Sequence, residues 1–159
     1  MQNSEWNLAG KAILVTGASS GIGAATAVAL GRQRARVVLA ARRVADCEAV
    51  AEQVRAAGGE AWVTPVDVTD ETSVQRCVEA AVKRFGRLDG AFNNAGALGT
   101  GAPLHTLAAA DVQAVLQANV MGIFHAMKHL IAAMLTTGGG AIVNNLSISS
   151  RVAFSGISD

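Results

Sequence analysis

The 159-residue chain contains no tyrosine, and aromatic side chains make up only 4% of it. No phenol is therefore available along it to donate or accept a proton. A dominant sign of charge is missing too. Thirteen basic residues against 12 acidic ones leave a net charge of +1, which gives no electrostatic case for nucleic acid or an anionic membrane as a partner. Cysteine is scarce: Cys47 and Cys77 stand far apart and form no CxxC pair, as expected of buried thiols in a reducing compartment. The segment from Met1 to Leu8 is polar and lacks the apolar stretch of a signal peptide. The longest strongly apolar stretch, residues 119–135, carries Lys128, His125 and His129, so it reads as a core helix rather than a membrane span. These readings point to a cytoplasmic protein.

Half of the residues are apolar and 16% are charged, which is a globular composition. The length suits one domain, residues 1–159, with no internal linker or short repeat. Short β-branched runs alternate with longer helical ones. Strands are expected at residues 11–15, 36–41, 60–66, 88–93 and 141–146. Helices are expected at residues 21–34, 44–57 and from Thr69 or Asp70 to Phe85, then at residues 107–116 and 119–135. Gly58-Gly59, Gly86 and the run Gly138-Gly139-Gly140 mark helix ends. The rhythm predicts an α/β fold, a doubly wound parallel sheet of the Rossmann-like kind that stops after its fifth strand. At Arg34 a helix-ending glycine is expected and absent, so a positive φ there would carry a cost of up to ~1 kcal/mol.

Thr16-Gly17-Ala18-Ser19-Ser20-Gly21-Ile22-Gly23 lies between the first strand and the first helix. Gly17 permits a tight turn, Gly21 lets the backbone approach a pyrophosphate, and Gly23 lets helix and strand pack closely. The helix N-terminus then offers free N–H groups to phosphate. A second candidate, Asn93-Asn94-Ala95-Gly96, follows the fourth strand. At the end of the second strand, Ala40-Ala41-Arg42-Arg43 offers no acid for a ribose 2′-hydroxyl and two guanidinium groups for a 2′-phosphate. NADP is therefore expected as the cofactor, with NAD as the alternative and Arg42 as the discriminating residue. His125 and His129 share a helix face at i, i+4, but no glutamate or third ligand accompanies them, so a metal role is not expected.

Together these motifs resemble the short-chain dehydrogenase/reductase family, and the resemblance covers essentially the whole chain. It implies an oxidoreductase that passes hydride between a nicotinamide and an alcohol or carbonyl substrate. It implies cofactor contacts from Gly17, Ser19, Ser20, Gly21, Ile22 and Gly23, and from Asn94, Ala95 and Gly96. Asp67 and Val68, after the third strand, fall where the family sets an acidic side chain against the adenine ring; Asp67 alternatively leads the next helix. Asn119 falls at the family's helix-embedded catalytic asparagine, or else caps the second of two helices. Ser147, after the fifth strand, falls at the catalytic serine, with Ser149 and Ser150 as competitors. The family's Tyr-x-x-x-Lys pair would begin just beyond Asp159, so the chain is expected to be the front portion of a longer enzyme and catalytically incomplete alone. A nucleotide-binding regulatory module and a non-functional fragment are the alternatives. The helix over residues 119–135 is apolar on more than one face, which implies a second packing partner. In the family that partner is a later helix and a second subunit, so a homo-dimer or homo-tetramer is expected of the parent.

Overall fold

The computed structural model describes residues 7–147. Five parallel strands form one sheet: β1 (Ala12–Thr16), β2 (Arg36–Ala41), β3 (Glu60–Pro65), β4 (Gly90–Asn93) and β5 (Ala141–Asn144), in the order β3-β2-β1-β4-β5. Helices α1 (Gly21–Arg32) and α2 (Val44–Ala56) cover one face. Helices α3 (Glu71–Phe85) and α5 (Gly122–Leu135) cover the other, with α4 (Ala109–Leu116) leading into α5. The chain winds outward from β1 to β3, returns through α3 to β4 on the far side of β1, and continues to β5. The loops after β1 and β4 thus leave neighbouring strands in opposite directions, and the crevice between them is where doubly wound sheets take their ligands.

Strand alternation divides the core. Ile13, Val15, Val37 and Leu39 point to the α1–α2 face, where Ala27, Cys47, Val50, Ala51 and Val54 meet them. Leu14, Val38, Ala40 and Ala91 point to the other, against Val74, Cys77, Val78, Ala81, Leu130 and Met134. Strands buried on both faces read as unbroken apolar runs. Each face of the sheet therefore has its own core, with one cysteine in each.

Local chemistry sets most element ends. Gly86 closes α3 at φ 78° and donates its N–H to the Val82 carbonyl. Asp70, rather than Thr69, caps the start of that helix by accepting from the Thr72 N–H at 2.9 Å. Arg34 does adopt φ 58°, the left-handed conformation expected from its position. β4 starts two residues later than expected because Asp89 turns its carboxylate back on β1. The Asp89 side chain accepts from the Ala12 N–H at 2.9 Å and pairs with Lys11 at 3.2 Å and Arg87 at 2.8 Å. β5 ends at Asn144, where the Asn93 and Asn144 amides hydrogen-bond to one another at 2.8 Å.

The two helices expected at residues 107–116 and 119–135 are one. α4 passes into a wide π turn, Gln117–Met121, and on into α5 without interruption. No glycine or proline lies between Leu107 and Met121 to break it, so an extra residue is absorbed as a bulge. The whole helix, Ala109–Leu135, is long and apolar enough to cross a membrane by length and composition. Its Ala126, Leu130 and Met134 side, however, packs against the core of this domain. Val120, Phe124, Ile131 and Leu135 lie exposed on it, Leu135 to 73%, which is the apolar surplus expected from the sequence.

Candidate nucleotide-binding cleft

A cleft of about 680 Å³ opens at the C-terminal ends of β1, β2, β3 and β4. Its floor is the glycine turn. Gly17 has φ 65°, and a Cβ on it would stand 2.9 Å from the Ala95 Cα. Gly21 has φ 56°, a conformation that favours glycine. A Cβ on buried Gly23 would collide with the Gly17 carbonyl oxygen and lie 2.6 Å from the Asn94 Nδ2. The start of α1 therefore seats directly on the turn. Ser20 precedes the helix with no side-chain cap, and no acid occupies the first turn. The first N–H groups of α1 consequently have no partner from within the helix and suit an anion.

The loop after β4 is bound to this floor. The Thr16 hydroxyl oxygen accepts from both the Asn94 N–H at 2.9 Å and the Ala95 N–H at 3.1 Å. The Asn94 amide donates back to the Thr16 carbonyl at 3.2 Å and the Gly17 carbonyl at 3.3 Å, and its oxygen accepts from Asn145 at 3.0 Å. Further along, Asn119 grips the same loop. Its Oδ1 accepts from the Ala97 N–H and its Nδ2 donates to the Ala97 carbonyl, both at 2.8 Å. Gly96 gives Asn119 its room, since a Cβ there would stand 2.9 Å from the Asn119 Oδ1.

The far wall is cationic. Arg42 and Arg43, both exposed, follow β2 and line the cleft. Of the two guanidinium groups expected here, Arg43, rather than the discriminating residue Arg42, makes the direct contacts with the turn. Its Nη2 donates to the Ser19 hydroxyl at 3.0 Å and the Ser20 hydroxyl at 2.9 Å, and its Nε pairs with Asp46 at 2.9 Å. Asp67, Val68 and Thr69 form the side next to it. The Asp67 carboxylate accepts from the Thr69 hydroxyl at 2.7 Å and the Thr69 N–H at 3.0 Å. These bonds hold its pKa below the ordinary carboxylate value, and the nearby Arg42 charge adds to the effect. Asp67 is thus tied into a turn of its own and leaves the helix cap to Asp70.

Of the residues singled out from the sequence, Gly17, Ser19, Ser20, Arg42, Asp67, Val68, Asn94, Ala95 and Gly96 line one cleft. Gly21, Ile22 and Gly23 follow this lining into α1 without forming part of it, and Ile22 is 62% exposed. Asn119 reaches the cleft through Ala97. Ser147 follows β5 and is exposed, while Ser149 and Ser150 lie outside the described residues. Thr16, Thr69 and Gln117 were not anticipated as site residues. Thr16 is part of the motif, but its double acceptor role has no sequence signature. The two histidines of α5 go separate ways: His125 Nδ1 meets the Val68 carbonyl at 3.1 Å, and His129 Nε2 meets Glu71 at 3.2 Å.

Known proteins share this sequence and fold. An A-factor type gamma-butyrolactone 1'-reductase (1S-forming) of Streptomyces virginiae is 40% identical over 154 residues, covering 96% of this chain and 60% of that one. A metagenomic short-chain oxidoreductase solved in complex with NADP superposes with a TM-score of 0.89 at 35% identity, covering 96% of this chain and 69% of that one. NAD+-bound xylitol dehydrogenase superposes with a TM-score of 0.88 at 37% identity, covering 91% and 56%. The chain spans about six tenths of the length of the relatives it matches, 58% of one and 60% of another. The family model described as short chain dehydrogenase matches residues 11–158, and with the cleft geometry beside it, the chain belongs to the short-chain dehydrogenase family.

Proposed function

We propose that this chain carries the cofactor site of an NADP-dependent oxidoreductase acting on an alcohol or carbonyl substrate. The observation that carries the reading is the glycine cradle closed off by Arg42 and Arg43. Gly17 and Gly23 let the turn, α1 and the loop after β4 close on one another, Gly21 turns the backbone at φ 56°, and two guanidinium groups follow β2, the position that faces the ribose 2′ group in a doubly wound sheet. A dinucleotide fits this cleft: pyrophosphate against the N–H groups of α1, adenosine toward Asp67 and Val68, and 2′-phosphate toward the arginines. When bound, the cofactor supplies or accepts hydride at its nicotinamide ring.

The chain's own residues bind and orient. Gly17 and the N-terminus of α1 hold phosphate oxygens, and Arg42 with Arg43 neutralises a 2′-phosphate. Asn94, Ala95 and Gly96 shape the floor beside them. Ser147, beyond β5, donates a hydrogen bond to the substrate oxygen. Asn119, at the position of the family's catalytic asparagine, orients the site through its grip on Ala97. The exposed apolar side of α5 suits a homo-dimer or homo-tetramer, and the balanced charge and buried thiols suit the cytoplasm. Calorimetric titration of the full-length protein tests the cofactor assignment. NADPH should bind more tightly than NADH, and equal affinities would remove it.

A further inference from the structure

The loop that forms the β3 side of the cleft is held by the long helix through two side chains, Gln117 at the cleft wall and His125 buried beneath the loop. His125 is buried, and its Nδ1 lies 3.1 Å from the Val68 carbonyl oxygen. A carbonyl only accepts, so Nδ1 carries the proton. One residue along the loop, the Gln117 side chain donates to the Thr69 carbonyl at 2.9 Å from within the π turn. Between these two contacts Gly122 lets the helix backbone close on the loop, because a Cβ there would stand 3.0 Å from the Val68 Cγ2. Docking of α5 onto the domain is separately provided by Ala126, Leu130 and Met134.

The contacts are arranged in series. Thr69 holds the Asp67 carboxylate with its N–H and its hydroxyl. A shift of the Thr69 carbonyl therefore carries Asp67 with it, and a shift of the Val68 carbonyl carries the Val68 side chain. We propose that Gln117 and His125 are positioning residues for the nucleotide: by fixing two consecutive carbonyls from the π turn and α5, they hold Val68 and Asp67 in place against its adenosine half. The inference rests on the nucleotide reading above. It adds to it residues 48 and 57 positions away in sequence from the carbonyls they hold.

The test is made in the full-length protein with three variants: Gln117→Met, which keeps length and loses the donor; His125→Leu, which loses the ring; and His125→Asn, whose amide nitrogen replaces Nδ1 as donor. The probe is 2′,5′-ADP, which carries the adenosine half alone, titrated by calorimetry. Gln117→Met and His125→Leu should each weaken its binding by about three- to tenfold, the scale of one hydrogen bond. His125→Asn should restore most of the loss. In turnover, the first two should raise the cofactor KM more than they lower kcat. Parental affinity in Gln117→Met overturns the role of Gln117. A loss in His125→Asn equal to that in His125→Leu overturns that of His125. Should His125→Leu fail to fold, Gln117→Met, altered at an exposed position, carries the test. A parent protein that binds neither 2′,5′-ADP nor NADPH removes the nucleotide reading itself, and this inference with it.

Discussion

The Arg43 guanidinium is hydrogen-bonded to the Ser20 hydroxyl at 2.9 Å, which ties the end of β2 to the turn before α1. Arg42, its neighbour, has no such tie to the turn and shares the cleft with Asp67. The two arginines therefore differ: Arg43 is bonded to the turn before α1, and Arg42 lines the cleft without that bond. Replacing Arg42 by aspartate should lower NADPH affinity by about ten- to a hundredfold, the loss of a charge-assisted bond plus repulsion. NADH should then bind more tightly than NADPH. Unchanged affinities for both cofactors would remove Arg42 from the site.

Gly23→Ala should destabilise the fold as well as the site. The added methyl would press on the Gly17 carbonyl and on the Asn94 amide, both of which belong to the hydrogen-bonded floor. Overpacking of this kind costs about 1–3 kcal/mol. Urea denaturation should register the loss, and nucleotide affinity should fall with it. A midpoint equal to that of the parent would mean that α1 can back away from the turn freely.

Much of this was legible from residue order alone. β2 occupies the expected residues 36–41, Gly86 stops α3, and Arg34 takes the left-handed conformation its position demanded. These are local effects: an apolar run, a missing Cβ, a turn with one solution. The π turn was not legible, because its formation goes with the Asn119 amide meeting Ala97 across 22 residues of chain, and no periodicity encodes that. The difference between Arg42 and Arg43 was hidden for the same reason, since both are exposed arginines until Ser19 and Ser20 are placed in space. The His125–His129 spacing suggested one shared face, yet the two rings serve different partners in the loop after β3 and the start of α3.

Acid should unfold the protein through identifiable carboxylates. Asp67, held by Thr69, is shifted below its ordinary value. So is Asp89, where burial pushes the pKa upward but the Ala12 N–H, Lys11 and Arg87 outweigh it. A depressed folded-state pKa contributes stability that is present above the unfolded value of about 3.9 and is lost as pH falls through the folded one. The thermal midpoint should therefore hold steady from pH 7 to about 5 and drop steeply below about 4. Asp89→Asn should shrink the acid-dependent part of the drop. An identical profile in that variant would assign the effect elsewhere.

Arg34 offers a stabilising change. At φ 58° its Cβ is strained, while its N–H and carbonyl are both engaged, with Gly31 and Gly10 respectively. Arg34→Gly keeps those bonds and relieves the strain, so it should add up to about 1 kcal/mol. Chemical denaturation reads this directly; a loss of stability instead would mean that the arginine side chain contributes more than its backbone costs.

The placement of one thiol under each face of the sheet gives the protein a pair of internal clocks. Burial pushes the Cys77 thiol up to about 12, and the Cys47 thiol is raised by burial and by its acidic neighbours Asp46 and Glu48. Neither is reactive while its layer is closed, because the thiolate is the reacting form. Each can be alkylated only when the helices above it lift. Labelling rates followed at the two positions therefore time the opening of the α1–α2 layer and the α3–α5 layer independently. Equal rates would describe a domain that opens as one unit, and unequal rates one whose two sides breathe separately around a common sheet.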